Sequence, residues 1–239
     1  MSNALTTTNN ENTSVAVSGN PFLDAANDMG AGTSALYLKF DGNTGDYSFG
    51  KDQEELENGT RVAVAPSEFK NGWICWNDSK VLEEIMVRIT EGKPPAKHTL
   101  TDHGPYEDAE KDGWSQQSSA QFRDIETGSE YLYKTSSAGG RIALANLVQD
   151  YGKAFQRHPG ELAIVELSNT SFEAKNRKTG KKLGKKYAPM FKIVGWVKED
   201  ELLAKFDAMA AEQNEDEDAE EEELAPPPVN AKSRRSKDF

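Results

Sequence analysis

Cysteine is almost absent from the 239-residue chain, which contains Cys75 alone. A single cysteine excludes an intramolecular disulfide and is typical of a reducing cytoplasm. The chain also lacks any apolar run near the roughly 20 residues that a membrane span requires. Its N-terminus has no charged start followed by an apolar block. We therefore expect a cytoplasmic protein with no membrane contact.

Histidine is scarce as well, and no spacing typical of an enzyme is present. His98 and His103 match no zinc motif, and Cys75 lies between two tryptophans, where a buried structural thiol is the usual role. We therefore expect no catalytic residue, no metal site and no cofactor. One alternative is a metal-dependent nucleic-acid-processing enzyme, because a polar loop carries five carboxylates that suit a divalent cation: Asp102, Glu107, Asp108, Glu110 and Asp112.

Apolar residues are sparse at both ends of the chain, which sets the domain boundaries. Residues 1–30 are predicted to be a flexible N-terminal segment, and residues 31–200 a single core domain. Residues 201–239 are predicted to be a helix that leads into a disordered acidic, proline-rich and basic tail. Neither end buries enough apolar surface to offset the entropy cost of ordering it.

Short alternating segments separated by Gly, Asn and Asp predict a mainly β core. Leu36, Leu38 and Phe40 share one face of a strand, and a second strand follows after the turn at residues 41–45. Residues 140–157 fit a helix with an apolar stripe that includes Phe155. We expect an OB-like Greek-key β-barrel with one or two helices, and a β-sandwich is the alternative fold.

Three further segments are less regular. Residues 81–89 fit a helix and a strand equally well. Residues 161–167 and 187–197 are predicted to be apolar strands joined by a long polar segment. Residues 199–212 fit a final helix with the apolar residues Leu202, Leu203, Phe206 and Met209 on one side.

Acidic residues are missing from most of the polar segment between the last two predicted strands. Residues 175–192 contain eight bases and no acid, with Thr179-Gly180 placed to form a hairpin tip. This density exceeds what edge protection alone requires, so we predict contact with a polyanion. The residues assigned to the nucleic-acid site are Lys175, Arg177, Lys178, Lys181, Lys182, Lys185, Lys186 and Tyr187.

Aromatic residues interleaved with bases extend this predicted site, because unpaired bases stack on rings without regard to sequence. Packing in the sheet is the competing role for each ring. The additional site residues are Tyr37, Lys39, Tyr47, Phe49, Lys51 and Trp73.

The negative charge of the chain is local. Residues 199–224 hold thirteen acids against Lys205, which equals the net charge of −12 of the whole chain. A nearly neutral body with an acidic extension suggests that the extension competes for a cationic surface of the same molecule.

This arrangement of a core, an acidic extension and the terminal Phe239 resembles the phage-encoded single-stranded DNA-binding proteins. The resemblance implies an OB-fold that binds single-stranded DNA during replication or recombination in the host cytoplasm. It also implies that Asp238 and Phe239 contact partner proteins. The chain departs from that pattern, because Pro226 to Pro228 and four bases separate the acids from Phe239. The other alternative is an acidic DNA-mimic or adaptor that binds a basic host enzyme.

Overall fold

The computed structural model describes residues 35–106, 112–176 and 179–224, with the backbone alone for residues 212–224. The predicted flexible segment before residue 31 and the tail after residue 224 lie outside these ranges. Asp238 and Phe239 lie outside them too.

The described residues form ten strands and two helices. The first six strands are β1 Leu36–Phe40, β2 Tyr47–Phe49, β3 Glu54–Leu56, β4 Arg61–Val64, β5 Lys70–Asn77 and β6 Lys80–Arg88. They are followed by β7 Trp114–Asp124, β8 Glu130–Thr135, α1 Ala138–Ala154, β9 Glu161–Lys175, β10 Lys182–Lys198 and α2 Glu199–Leu224. Short 3-10 turns occupy Pro66–Glu68, Lys97–Thr99 and Phe155–Arg157.

The strands form one curled sheet in the shape of a half-barrel. Its strand order is β10-β9-β4-β7-β8-β1-β2-β3, and β5 pairs with β7 and carries β6 as a branch. Neighbouring strands are antiparallel except for β1 and β8, which are parallel. The predicted mainly β class with two helices is confirmed.

The curl of the sheet brings its two ends together. The Tyr47 hydroxyl donates to the Ser168 carbonyl at 2.7 Å, and the Tyr187 amide donates to the Gly42 carbonyl at 2.9 Å. Gly45 has a φ of +90°, and a Cβ there would lie 2.8 Å from Cδ1 of Tyr187. Only glycine permits this approach of the β1–β2 turn to β10.

The predicted helix is confirmed as α1, which packs on β7 and β10. The Ser137 hydroxyl caps it by accepting from the Gly140 amide at 3.1 Å. Leu144, Leu147 and Tyr151 are buried, and burial of each such side chain contributes about 1.5–3 kcal/mol. Phe155, predicted to lie on the buried stripe, is instead half-exposed in the 3-10 turn that follows the helix.

Three elements differ from the sequence-based boundaries. The ambiguous residues 81–89 form strand β6, because they pair with β5. The polar segment predicted between two short strands continues them as a long hairpin, with pairing through Lys175 and Lys182. Helix α2 extends to Leu224 rather than to residue 212, and its many alanine and glutamate residues have a high helix propensity. None of the helices in the described ranges is long and apolar enough to cross a membrane.

Candidate nucleic-acid interface

The β9–β10 hairpin projects beyond the rest of the sheet. Leu167 and Phe191 face each other in the core, and beyond them no further strand pairs with the hairpin. Its first residues still contact β2 and the β1–β2 turn, through Ser168, Asn169 and Tyr187. We call residues 168–176 and 179–190 the arm. Their eight residue pairs, from Ser168–Met190 to Lys175–Lys182, span seven steps of about 3.3 Å, so the arm is about 23 Å long.

The arm carries the predicted lysines on exposed positions. Lys175, Lys181, Lys182 and Lys185 are exposed, and none of them takes part in an ion pair among the described residues. Arg177 and Lys178 lie outside the described residues. The structure therefore groups the described lysines of the predicted finger on one projecting element.

Two bases lie at the root of the arm. Lys186 is partly buried and donates to Oδ1 of Asn43 in the β1–β2 turn. Nζ of Lys185 lies 5.1 Å from the centre of the partly exposed Tyr187 ring, a cation–π contact. The Lys186 bond ties the arm to the β1–β2 turn, so the turn and the arm form one surface.

Phe172 is a candidate that the sequence analysis missed. It lies opposite Lys186 on the arm, and 51% of it is exposed. A ring left half-exposed beside a base is suited to stacking on an unpaired nucleobase. The only sequence signal was a lone aromatic residue within a polar stretch.

Strand β1 places two predicted residues on its outer face. Tyr37 is 56% exposed and Lys39 is exposed, whereas Leu38 between them is buried. The strand leads into the turn that contacts Tyr187. Tyr37 and Lys39 thus keep their predicted positions on an accessible face.

Tyr47 does not belong to the site, which corrects the prediction. Its ring is fully buried, 4.9 Å from the ring of Phe40. Burial, with a smaller contribution from Tyr133, raises the pKa of the hydroxyl. A buried ring cannot stack on a nucleobase.

Phe49 and Lys51 are also poorly placed. Phe49 shares the inner face of β2 with Tyr47, and its ring lies 5.2 Å from that of Tyr131. Lys51 lies in the turn after β2, beside the start of β1, whereas the arm contacts the other end of β1. Tyr47 and Phe49 therefore point toward the core. Lys51 lies outside strand β2 and does not share a binding face with them.

Trp73 belongs to the branch formed by β5 and β6. Its Nε1 donates to the Pro95 carbonyl at 2.9 Å, and Nζ of Lys97 lies 5.9 Å from its ring centre. The ring is half-buried under the loop that follows β6. It lies on a different element from the arm lysines.

The carboxylates of the alternative metal site have other partners where they are described. Oδ1 of Asp102 accepts from the Gly104 amide, and Oδ2 of Asp112 lies 3.0 Å from Nζ of Lys97. The hydrogen bond from Lys97 lowers the pKa of Asp112. Glu107, Asp108 and Glu110 lie outside the described residues, within which no metal-binding cluster is found.

The start of the acidic helix is fixed to the sheet. Leu202 is buried, and Nζ of Lys205 donates to the Ile125 carbonyl at 2.6 Å. Phe206 lies against Gly128 in the β7–β8 turn. The acidic residues therefore follow directly from an anchored first part of α2.

Comparison of the chain with protein-family models, with curated proteins and with solved structures found no match.

Proposed function

We propose that the protein binds single-stranded DNA without sequence preference. The observation that carries this proposal is the arm, which presents four exposed lysines with no carboxylate paired to them among the described residues. A flexible single strand can lie along the arm and contact these lysines through its phosphates. Each phosphate neutralised by a lysine releases condensed counterions, which favours binding at low salt.

The aromatic residues next to these bases favour unpaired strands over duplexes. Phe172 and Tyr37 are half-exposed, and each lies on a strand that also exposes lysine. Stacking of a base on a ring contributes about 1–3 kcal/mol and requires that the base is free of its partner.

The acidic helix supplies the regulation in this proposal. Its thirteen acids lie in the same chain as the arm, so they compete with DNA for the lysines at a high effective concentration. Binding of DNA then displaces the acidic extension and exposes the terminal residues to replication or recombination partners.

The salt dependence of binding tests the role of the arm. We expect the triple variant Lys181→Ala/Lys182→Ala/Lys185→Ala to lower the slope of log K against log salt by about 2, since each phosphate contact contributes about 0.7 for single strands. The measurement is a fluorescence anisotropy titration of labelled oligo-dT at several salt concentrations.

The matched control removes three positive charges from positions outside the arm. Lys51→Ala/Lys93→Ala/Lys153→Ala changes three exposed lysines that lie off the arm, and we expect the slope to stay that of the unmodified protein. Equal slopes for both triple variants would show that the arm is not the binding element.

A further inference from the structure

The strand order and its β5–β6 branch end in three open strand edges, which differ in how they are protected. The stretch of β9 beyond Glu166 is open as well, and it carries the charged residues Glu173 and Lys175. β3, at one end of the strand order, has only three residues, two of which are glutamates. β10, at the other end, carries lysines, Pro189 and two register irregularities. Short length, lysine, proline and bulges are the usual devices against edge-to-edge association. Two of the edges are therefore blocked.

The third edge, that of β6, is the least protected, because its only register irregularity lies at Leu82 and its pairing with β5 is regular from Glu83 to Arg88. β6 has nine residues and pairs only with β5 among the described strands. Its sequence from Val81 to Val87 contains no proline, no glycine and no lysine. A long open edge without proline or glycine is a template for a further strand.

The backbone register shows which residues face the open edge. The Ile89 amide donates to the Phe69 carbonyl at 3.0 Å, so the odd-numbered residues of this stretch direct their backbone groups toward β5. Glu84, Met86 and Arg88 consequently direct their amide and carbonyl groups outward. These groups are the ones that a second strand would pair with.

We propose that a second copy of this chain occupies the edge, with the two β6 strands antiparallel about a twofold axis at Met86. This register places Glu84 opposite Arg88 of the other copy, twice, and Ile85 opposite Val87, twice. Both charges also have partners within their own chain, Lys134 at 2.9 Å and Glu91 at 3.1 Å, so the interface contains no unpaired charge. A self-complementary edge of this kind forms a closed dimer.

Apolar surface at the two ends of β6 supports the same arrangement. The β5–β6 hairpin tip exposes Trp76, Val81 and Leu82 by 42–48%. Beyond the other end of β6 lies an apolar groove of about 370 Å³, lined by Pro66, Phe69, Ile89, Val148, Tyr151 and Phe155. The twofold axis at Met86 sets Leu82 of each copy opposite Thr90 of the other, next to this groove.

The tip and the groove therefore cover each other twice in the dimer. These two contacts enlarge the interface toward the roughly 1,200–2,000 Å² that specific association requires. The dimer joins two half-barrels into one continuous sheet and leaves the arm of each copy free. The inference does not depend on the proposed DNA binding.

Sedimentation velocity of the full-length protein over a range of concentrations tests the dimer. We expect Met86→Lys to weaken dimerisation at least about tenfold, equivalent to about 1.4 kcal/mol. The control, Met190→Lys, makes the same substitution at an exposed methionine on the β10 edge and should leave the dimer unchanged. A wild-type protein that stays monomeric at all concentrations overturns the proposal.

A charge exchange tests the register. Glu84→Lys and Arg88→Glu should each weaken self-association, because each creates two repulsive pairs. A mixture of the two variants should form a heterodimer, because each substituted side chain then meets its opposite. A dimer that survives both single variants, or variants that do not combine in the mixture, would show that this register is wrong.

Discussion

At the residue scale, the clearest distinction is between rings that the fold buries and rings that it leaves exposed. Tyr47 and Tyr133 lie in the core, whereas Tyr37 and Phe172 are more than half exposed. The buried tyrosines affect stability through their ionisation. The exposed rings matter for the proposed binding.

Burial of tyrosine predicts a loss of stability at alkaline pH. Burial raises the pKa of Tyr133 to about 12 and also raises that of Tyr47, from a usual value of 10.0. The unfolded chain therefore releases these protons first, so stability is complete below pH 10 and falls as the pH rises toward the folded values. Each such tyrosine contributes a slope of about 1.4 kcal/mol per pH unit.

Urea unfolding between about pH 8 and 12 measures this slope, because that range brackets the usual tyrosine pKa of about 10. Tyr133→Phe should reduce it, whereas Tyr37→Phe, at an exposed ring, should not. A slope that is the same in both variants and the parent protein would exclude Tyr133 as its source.

Phe172 predicts a loss of affinity without a loss of stability. Phe172→Ala should weaken oligo-dT binding by about 1–3 kcal/mol, because one stacked base is lost. The thermal midpoint of the variant should barely change, since substitutions at exposed positions usually lower the free energy of unfolding by less than about 0.5 kcal/mol. Phe172→Trp retains a ring and should retain the affinity. Weakening by both substitutions alike would argue against stacking.

At the element scale, the β9–β10 hairpin combines two regions with different requirements. Its inner half is apolar and pairs with β4, and a sequence pattern was sufficient to predict it. Its outer half has no core to cover, so the chain there shows no apolar alternation. The pairing of that half follows from the strands to which it is joined, which explains why the polar segment was taken for a connection.

Helix α2 shows a second limit of reading patterns. Its apolar stripe predicted a helix to about residue 212, and the low apolar content after it predicted disorder. Helix formation depends on backbone propensity as well as burial, and alanine and glutamate supply it. The anchoring by Leu202 and Lys205 gives the helix a fixed start.

At the scale of the whole molecule, charge is divided between a basic arm and an acidic extension. This division predicts that deletion of residues 213–239 tightens binding of oligo-dT at low salt, because an intramolecular competitor is removed. The gain should shrink as salt rises, since screening weakens both interactions. Anisotropy titrations at two salt concentrations measure it.

The outcome separates the proposed function from its alternative. A truncated protein with equal or weaker affinity would contradict the competition by the acidic extension. A truncated protein with no affinity for DNA at low salt would favour an acidic adaptor or DNA-mimic.

The sequence by itself determined the features that depend on neighbouring residues. Alternation defined the faces of β1, the apolar stripe defined α1, and the run of bases defined the cationic part of the arm. Such patterns need only the local period of a strand or a helix. They sufficed for the mainly β class and for the cationic part of the candidate site.

Only the tertiary structure decided which strand faces are covered and which edges stay open. Tyr47 is buried because the sheet curls until its hydroxyl reaches Ser168, 121 residues away in sequence. Phe172 is exposed because no other strand lies beside the arm at that position. The edge of β6 is open because the loop after it does not form a further strand among the described residues. These outcomes depend on contacts between distant segments, and no local period encodes such contacts.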